Sequence, residues 1–197
     1  MKGLRQTALA LGLALAIAVA HSMASAASGQ APADPAWHPP GCPPPAETTR
    51  GPSSITVTGP CAFEHTGEAE CEWEGDDFPV TATRKAKNSA EIVLFVNVER
   101  FVGPRTYKPP NDLYVSLKVG SKIYRWSTNN YEATVGPGSK FVTFKDVKLE
   151  AEPVLVGCTG PQTNYQCDGR GDDPKHEASM SVVSGTIYCK AARAKKS

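Results

Sequence analysis

The stretch Leu113-Tyr114-Val115-Ser116-Leu117-Lys118-Val119-Gly120-Ser121-Lys122-Ile123-Tyr124-Arg125-Trp126 decides the fold. Apolar residues recur at every second position from Leu113 to Val119, and Tyr124 and Trp126 keep that period beyond, as in a strand with one buried face. Gly120-Ser121 is a two-residue loop with glycine first, which a type II′ turn requires. Reversing the chain there pairs Val119 with Lys122, Leu117 with Tyr124 and Val115 with Trp126. Leu113, Val115, Leu117, Tyr124 and Trp126 then share one face. The pattern assigns that face to the core rather than to a sugar-stacking platform.

The same period extends in both directions. Strands are expected over 54–63, 68–74, 79–85, 91–101, 113–119, 122–128, 131–135, 140–149, 152–157 and 178–189, and no segment sustains helical periodicity. From residue 27 onward there are fifteen Val and fourteen Thr against five Leu, a β-branched bias that suits a pleated, half-buried surface. Many short strands with turns between them describe an all-β, antiparallel β-sandwich, Ig-like or jelly-roll-like, with a small barrel as the alternative. Residues 92–98 are apolar on both faces, so they read as a central strand covered on each side.

A further hairpin is read in 55–63 and 68–74, where odd positions are apolar and every even position of the second run is Glu. A turn centred on Thr66 puts Phe63 opposite Ala69, Cys61 opposite Cys71 and Gly59 opposite Trp73.

The chain has 197 residues, 21 basic and 20 acidic, with a formal charge of +1. Lys2 and Arg5 precede the apolar run 8–20, and Ala24-Ser25-Ala26 supplies small residues for cleavage, so 1–26 is expected to be a secretory signal peptide. Thirteen apolar residues rise only about 20 Å as a helix against a hydrocarbon core of about 30 Å, so no membrane insertion is expected after cleavage. Without Lys2 and Arg5 the balance is 19 basic against 20 acidic residues, which argues against nucleic acid as a partner. Residues 27–53, with seven prolines between Pro32 and Pro45, form a Pro-rich flexible spacer. The β-sandwich domain spans 54–190, and 191–197 is a basic tail. Secretion or a periplasmic location follows.

Six cysteines in an exported chain imply a disulfide framework. There is no C-x-x-C pair, and His38, His65 and His176 are scattered, which disfavours zinc. The hairpin register gives Cys61–Cys71, the turn-rich loop between Cys158 and Cys167 gives that pair, and Cys42–Cys189 remains by elimination.

No G-x-S-x-G, H-E-x-x-H or S-x-x-K motif is present. The acidic ribbon Glu70, Glu72, Glu74, Asp76 and Asp77 should face outward and is the expected partner-binding surface. Asp168, Asp172 and Asp173, on a glycine-rich loop, supply hard oxygens for a Ca²⁺ ion, the one cofactor the sequence suggests. The expected function is an exported binding or envelope-associated module, without catalysis, that recognises a protein or glycan. The alternatives are a small secreted hydrolase of polysaccharide or peptide, with carboxylates of 70–77 as acid and base, and a secreted enzyme inhibitor.

Overall fold

The computed structural model describes residues 38–42, 51–73, 75–85, 90–162 and 164–194, with side chains described as far as Lys190. In chain order the elements are β1 (Ser54–Thr58), β2 (Phe63–His65), β3 (Ala69–Trp73), β4 (Phe78–Lys85), β5 (Glu91–Val98), β6 (Thr106–Tyr107), β7 (Asp112–Val119), β8 (Lys122–Thr128) and β9 (Ala133–Val135). They continue with β10 (Phe141–Ala151), β11 (Val154–Val156), β12 (Gly169–Gly171), the single-turn helix α1 (Pro174–Glu177) and β13 (Met180–Ala194). The protein is an all-β sandwich whose two layers are continuous. The strands follow one another in a single sheet, in the order β12-β11-β8-β7-β5-β4-β3-β13-β10-β9-β6, with β1 beside β13 and β2 beside β1.

Two seams join the layers. At the first, the fifteen-residue β13 leaves β10 and runs parallel to β3, with Cys189 beside Ala69 and Ala192 beside Cys71. Among the described strands this is the one parallel pair, the others being antiparallel. At the second, Glu150 and Ala151 of β10 pair with Ser127 and Trp126 of β8. Closing the layers in this way removes long free edges that would otherwise template aggregation.

The hairpin that decides the fold forms in the expected register, with Val115 opposite Trp126, Leu117 opposite Tyr124 and Val119 opposite Lys122. Gly120 has φ +59°, and its missing Cβ lets the chain reverse without strain. The face of Leu113, Val115, Leu117, Tyr124 and Trp126 is core, with Trp126 at 0 % exposure. It packs in one cluster with Ile55 and Val57 of β1, Val142 and Leu149 of β10, and Val183 and Ile187 of β13. Strand β5 is central, between β4 and β7.

The hairpin expected around Thr66 does not form. Gly59 adopts φ +118° and Pro60 has no N–H for a ladder, so the strand begun at Ser54 ends at Thr58. The chain turns there and β2 folds back on β1, with Val57 opposite Phe63 and Ile55 opposite His65. Alternation survives, since Ile55, Val57 and Phe63 are all buried. The partner changes: β3 pairs with β4 and β13.

The disulfides follow the strands. The expected Cys61–Cys71 and Cys42–Cys189 bridges are replaced by Cys42–Cys61 and Cys71–Cys189, with Cα–Cα separations of 5.4 and 5.5 Å. Cys61 sits in the β1–β2 turn, and the segment carrying Cys42 is tied to that turn by His38 Nδ1, 2.6 Å from the Pro60 carbonyl oxygen. Cys71 faces Cys189 across the parallel seam. Cys158–Cys167 closes the loop after β11. Three disulfides indicate an oxidising, extracellular compartment. Among the described residues no helix is long and apolar enough to cross a membrane.

Candidate functional site

Strand alternation puts Phe95, Tyr114, Arg125 and Ser127 on the outer face of β5, β7 and β8. Phe95 and Tyr114 are directly opposed and stack, with centroids 4.8 Å apart and planes at 18°. The Arg125 guanidinium lies 4.4 Å from the Tyr114 centroid and 5.7 Å from that of Tyr165. It also donates to the Tyr165 hydroxyl and sits 3.7 Å from a Glu152 carboxylate oxygen. Stacking and ion pairing together hold this cation in one orientation. Burial pushes the Tyr114 phenol up, the Arg125 charge opposes that shift, and the phenol remains a neutral O–H donor.

Tyr165 belongs to the Cys158–Cys167 loop, which the bridge fastens over the outer face. In the same loop the Gln162 amide donates to the Glu91 carbonyl (2.6 Å), and its oxygen accepts from Ser116 (3.1 Å). This loop covers the outer side of the central strand, where Val93 is buried.

Beside the ladder, two clefts adjoin along the β8–β10 seam. One, of about 690 Å³, is lined by Phe95, Asp112, Tyr114, Arg125, Ser127 and Glu152 among others. The other, of about 670 Å³, is lined by Glu132, Thr134, Thr143, Lys145, Asp146 and Lys148 among others. Thr128, Asn130 and Glu150 border both, so the two form one groove. Its lining has five carboxylates against three cations, with hydroxyls and amides between them. Glu152 is paired to Arg125, whereas Asp112 and Glu150 form no ion pair among the described residues.

The second cleft is shaped by a bulge in β10 between Phe144 and Val147. Asp146 takes φ +49° there, its N–H donates to Ser184 Oγ (2.6 Å), and that hydroxyl donates to its own carboxylate (2.9 Å). A non-glycine residue in the left-handed region costs of order 1 kcal/mol or more, and such bulges re-aim side chains beside functional sites.

Behind the groove, His176 is fully buried and packs edge-on to Tyr124 and Trp126, with centroids 5.4 and 4.9 Å away. Its Nε2 is 2.8 Å from the Glu152 carbonyl oxygen, and Glu152 N–H donates to the Arg125 carbonyl (2.9 Å). The seam backbone beneath the Arg125–Glu152 pair is thereby fixed. Burial pushes the His176 imidazole below its ordinary value, against the upward pull of the Glu152 carbonyl and Asp173.

The acidic ribbon lies elsewhere. Glu70 is exposed and Glu72 half-buried on β3, Asp76 and Asp77 are exposed in the turn that follows, and Glu74 lies outside the described residues. Because β3 is paired on both sides, these carboxylates do not guard a sheet edge. None of the four described carboxylates lines either cleft.

The expected Ca²⁺ loop is not assembled as a site. No group of three His, Cys, Asp or Glu able to hold a metal occurs among the described residues. Asp173 is used as the N-cap of α1, accepting from His176 N–H at 3.1 Å. Asp168 follows the closed loop and Asp172 follows β12, whose pairing with β11 spreads the run out as a strand rather than coiling it round an ion.

Sequence reading passed over Tyr114, Arg125, Thr128, Asn130 and Glu150. Outward parity in the deciding hairpin was a usable signal for Tyr114 and Arg125. Glu150 has none, because it enters the groove only through the long-range β8–β10 seam. Comparison with protein-family models, with curated proteins and with solved structures finds no significant match.

Proposed function

We propose that this protein is an exported, secreted or periplasmic, binding module without catalytic activity, and that its ligand site is the groove along the β8–β10 seam. The observation that carries this reading is the groove itself: two adjoining clefts of about 670 and 690 Å³, sharing Thr128, Asn130 and Glu150, beside a stacked and ion-paired wall. Ligand sites are concave and built from few, well-placed polar groups on a rigid frame. Here the frame is a closed sandwich stapled by three disulfides. Binding ranks above hydrolysis because the described carboxylates expected to act as acid and base, Glu70, Glu72, Asp76 and Asp77, line neither cleft. The test places a photo-crosslinking residue at Asn130 and exposes the mature protein to native envelope and culture medium. Crosslinks to one species, lost when Glu150→Gln is added, support the groove. Crosslinks indifferent to Glu150 refute it.

A further inference from the structure

We infer that the groove takes a neutral, hydroxyl-rich glycan; this rests on the groove being the ligand site proposed above. Two other ligand classes fit its construction poorly. An extended peptide binds a sheet by pairing with a free strand edge; at the groove β10 has such an edge only between Thr143, paired with β9, and Glu150, paired with β8, and there the bulge between Phe144 and Val147, with Asp146 at φ +49°, interrupts it. A phosphate-bearing chain would meet five carboxylates against three cations, one of which, Arg125, is already paired with Glu152.

What remains matches sugar hydroxyls. Asp112 and Glu150 are acceptors, and hydrogen bonds to an ionised carboxylate are about twice as strong as neutral ones. Asn130 offers both donors and an acceptor, and Thr128 does the same through one hydroxyl. Neighbouring hydroxyls of a pyranose present donors and acceptors side by side, which a carboxylate or an amide can take with two atoms at once. Half-buried Phe95, backed by its stack on Tyr114, gives the wall an apolar surface for the C–H face of a ring. The two clefts meet at Thr128, Asn130 and Glu150, so the site suits several linked units rather than one monosaccharide.

The test uses the mature chain and a panel of defined probes: neutral hexasaccharides of β-1,4-glucose, β-1,3-glucose, α-1,4-glucose and β-1,4-N-acetylglucosamine, together with hexalysine and hexaglutamate. Calorimetry reads affinity, and amide NMR shifts read position. At least one neutral hexasaccharide should bind and shift Thr128, Asn130 and Glu150. Glu150→Gln and Asn130→Ala should each weaken it tenfold or more, while Lys175→Ala on α1 leaves it unchanged. Amide spectra confirm that each variant is folded. Groove-dependent binding of a charged peptide with no glycan binding overturns the glycan inference and leaves the binding module standing. No groove-dependent binding of any probe overturns both.

Discussion

His176 shows how one buried residue ties stability to pH. Its imidazole has no exposure, and burial lowers its affinity for a proton in the folded state. Half-buried His65 is shifted the same way by burial. The unfolded chain therefore binds more protons than the native one below about pH 6.5, the ordinary histidine value. The stability contributed by keeping these rings neutral is complete above that value and is lost as pH falls from it through the lowered folded values. Unfolding free energies from urea titration should be level from pH 7 to 8 and decline below 6.5, by at most about 1.4 kcal/mol per pH unit for each histidine. His176→Phe should flatten that slope, and an unchanged slope would remove His176 from the account. Trp126 makes a complementary point about packing: its indole is fully buried and its N–H donates to Ser179 Oγ at 2.8 Å. Trp126→Ala should cost about 3 to 5 kcal/mol, measured by chemical denaturation.

Among the elements, the Cys158–Cys167 loop links covalent structure to the groove. Nine positions separate its cysteines, so removing the bridge should cost about 3 kcal/mol in the chain-entropy view. The same change frees Gln162 and Tyr165, and with Tyr165 goes the cap on Arg125. A Cys158→Ser/Cys167→Ser variant should lower the melting temperature and broaden the Arg125 and Tyr114 NMR signals while those of β1 and β13 persist. The Cys71–Cys189 bridge spans 118 positions and should cost about 5 kcal/mol when removed, since closing a longer loop removes more unfolded-state entropy. Denaturant midpoints of the two double variants, measured side by side, check that order.

For the whole molecule, the covalent map is the most direct prediction. Non-reducing peptide mapping should link Cys42 with Cys61, Cys71 with Cys189, and Cys158 with Cys167; a Cys61–Cys71 peptide would contradict the β1–β2 hairpin. The proposed export adds a second expectation, because a signal cleaved after Ala26 would leave a mature mass beginning at Ala27. Retention of Lys2 and the apolar run 8–20 in the exported form would exclude it.

The sequence by itself determined the local features. Period-two alternation placed Ile55, Val57, Leu113, Val115, Leu117 and Trp126 on inward faces, and Gly120-Ser121 set one register, because pleat and turn chemistry act over a few residues. Cys158 and Cys167 are close enough in the chain for turn residues alone to bring them together. Only the tertiary structure decided which strands became neighbours. Inward Cys61 and Cys71 satisfied their alternation equally well opposite each other or apart, and the turn at Gly59-Pro60 with the parallel run of β13 beside β3 separated them. The groove arose in the same way. Asp112, Arg125 and Glu150 come from β7, β8 and β10, and no local pattern could join them, because the β8–β10 seam forms only when both layers close over one shared core.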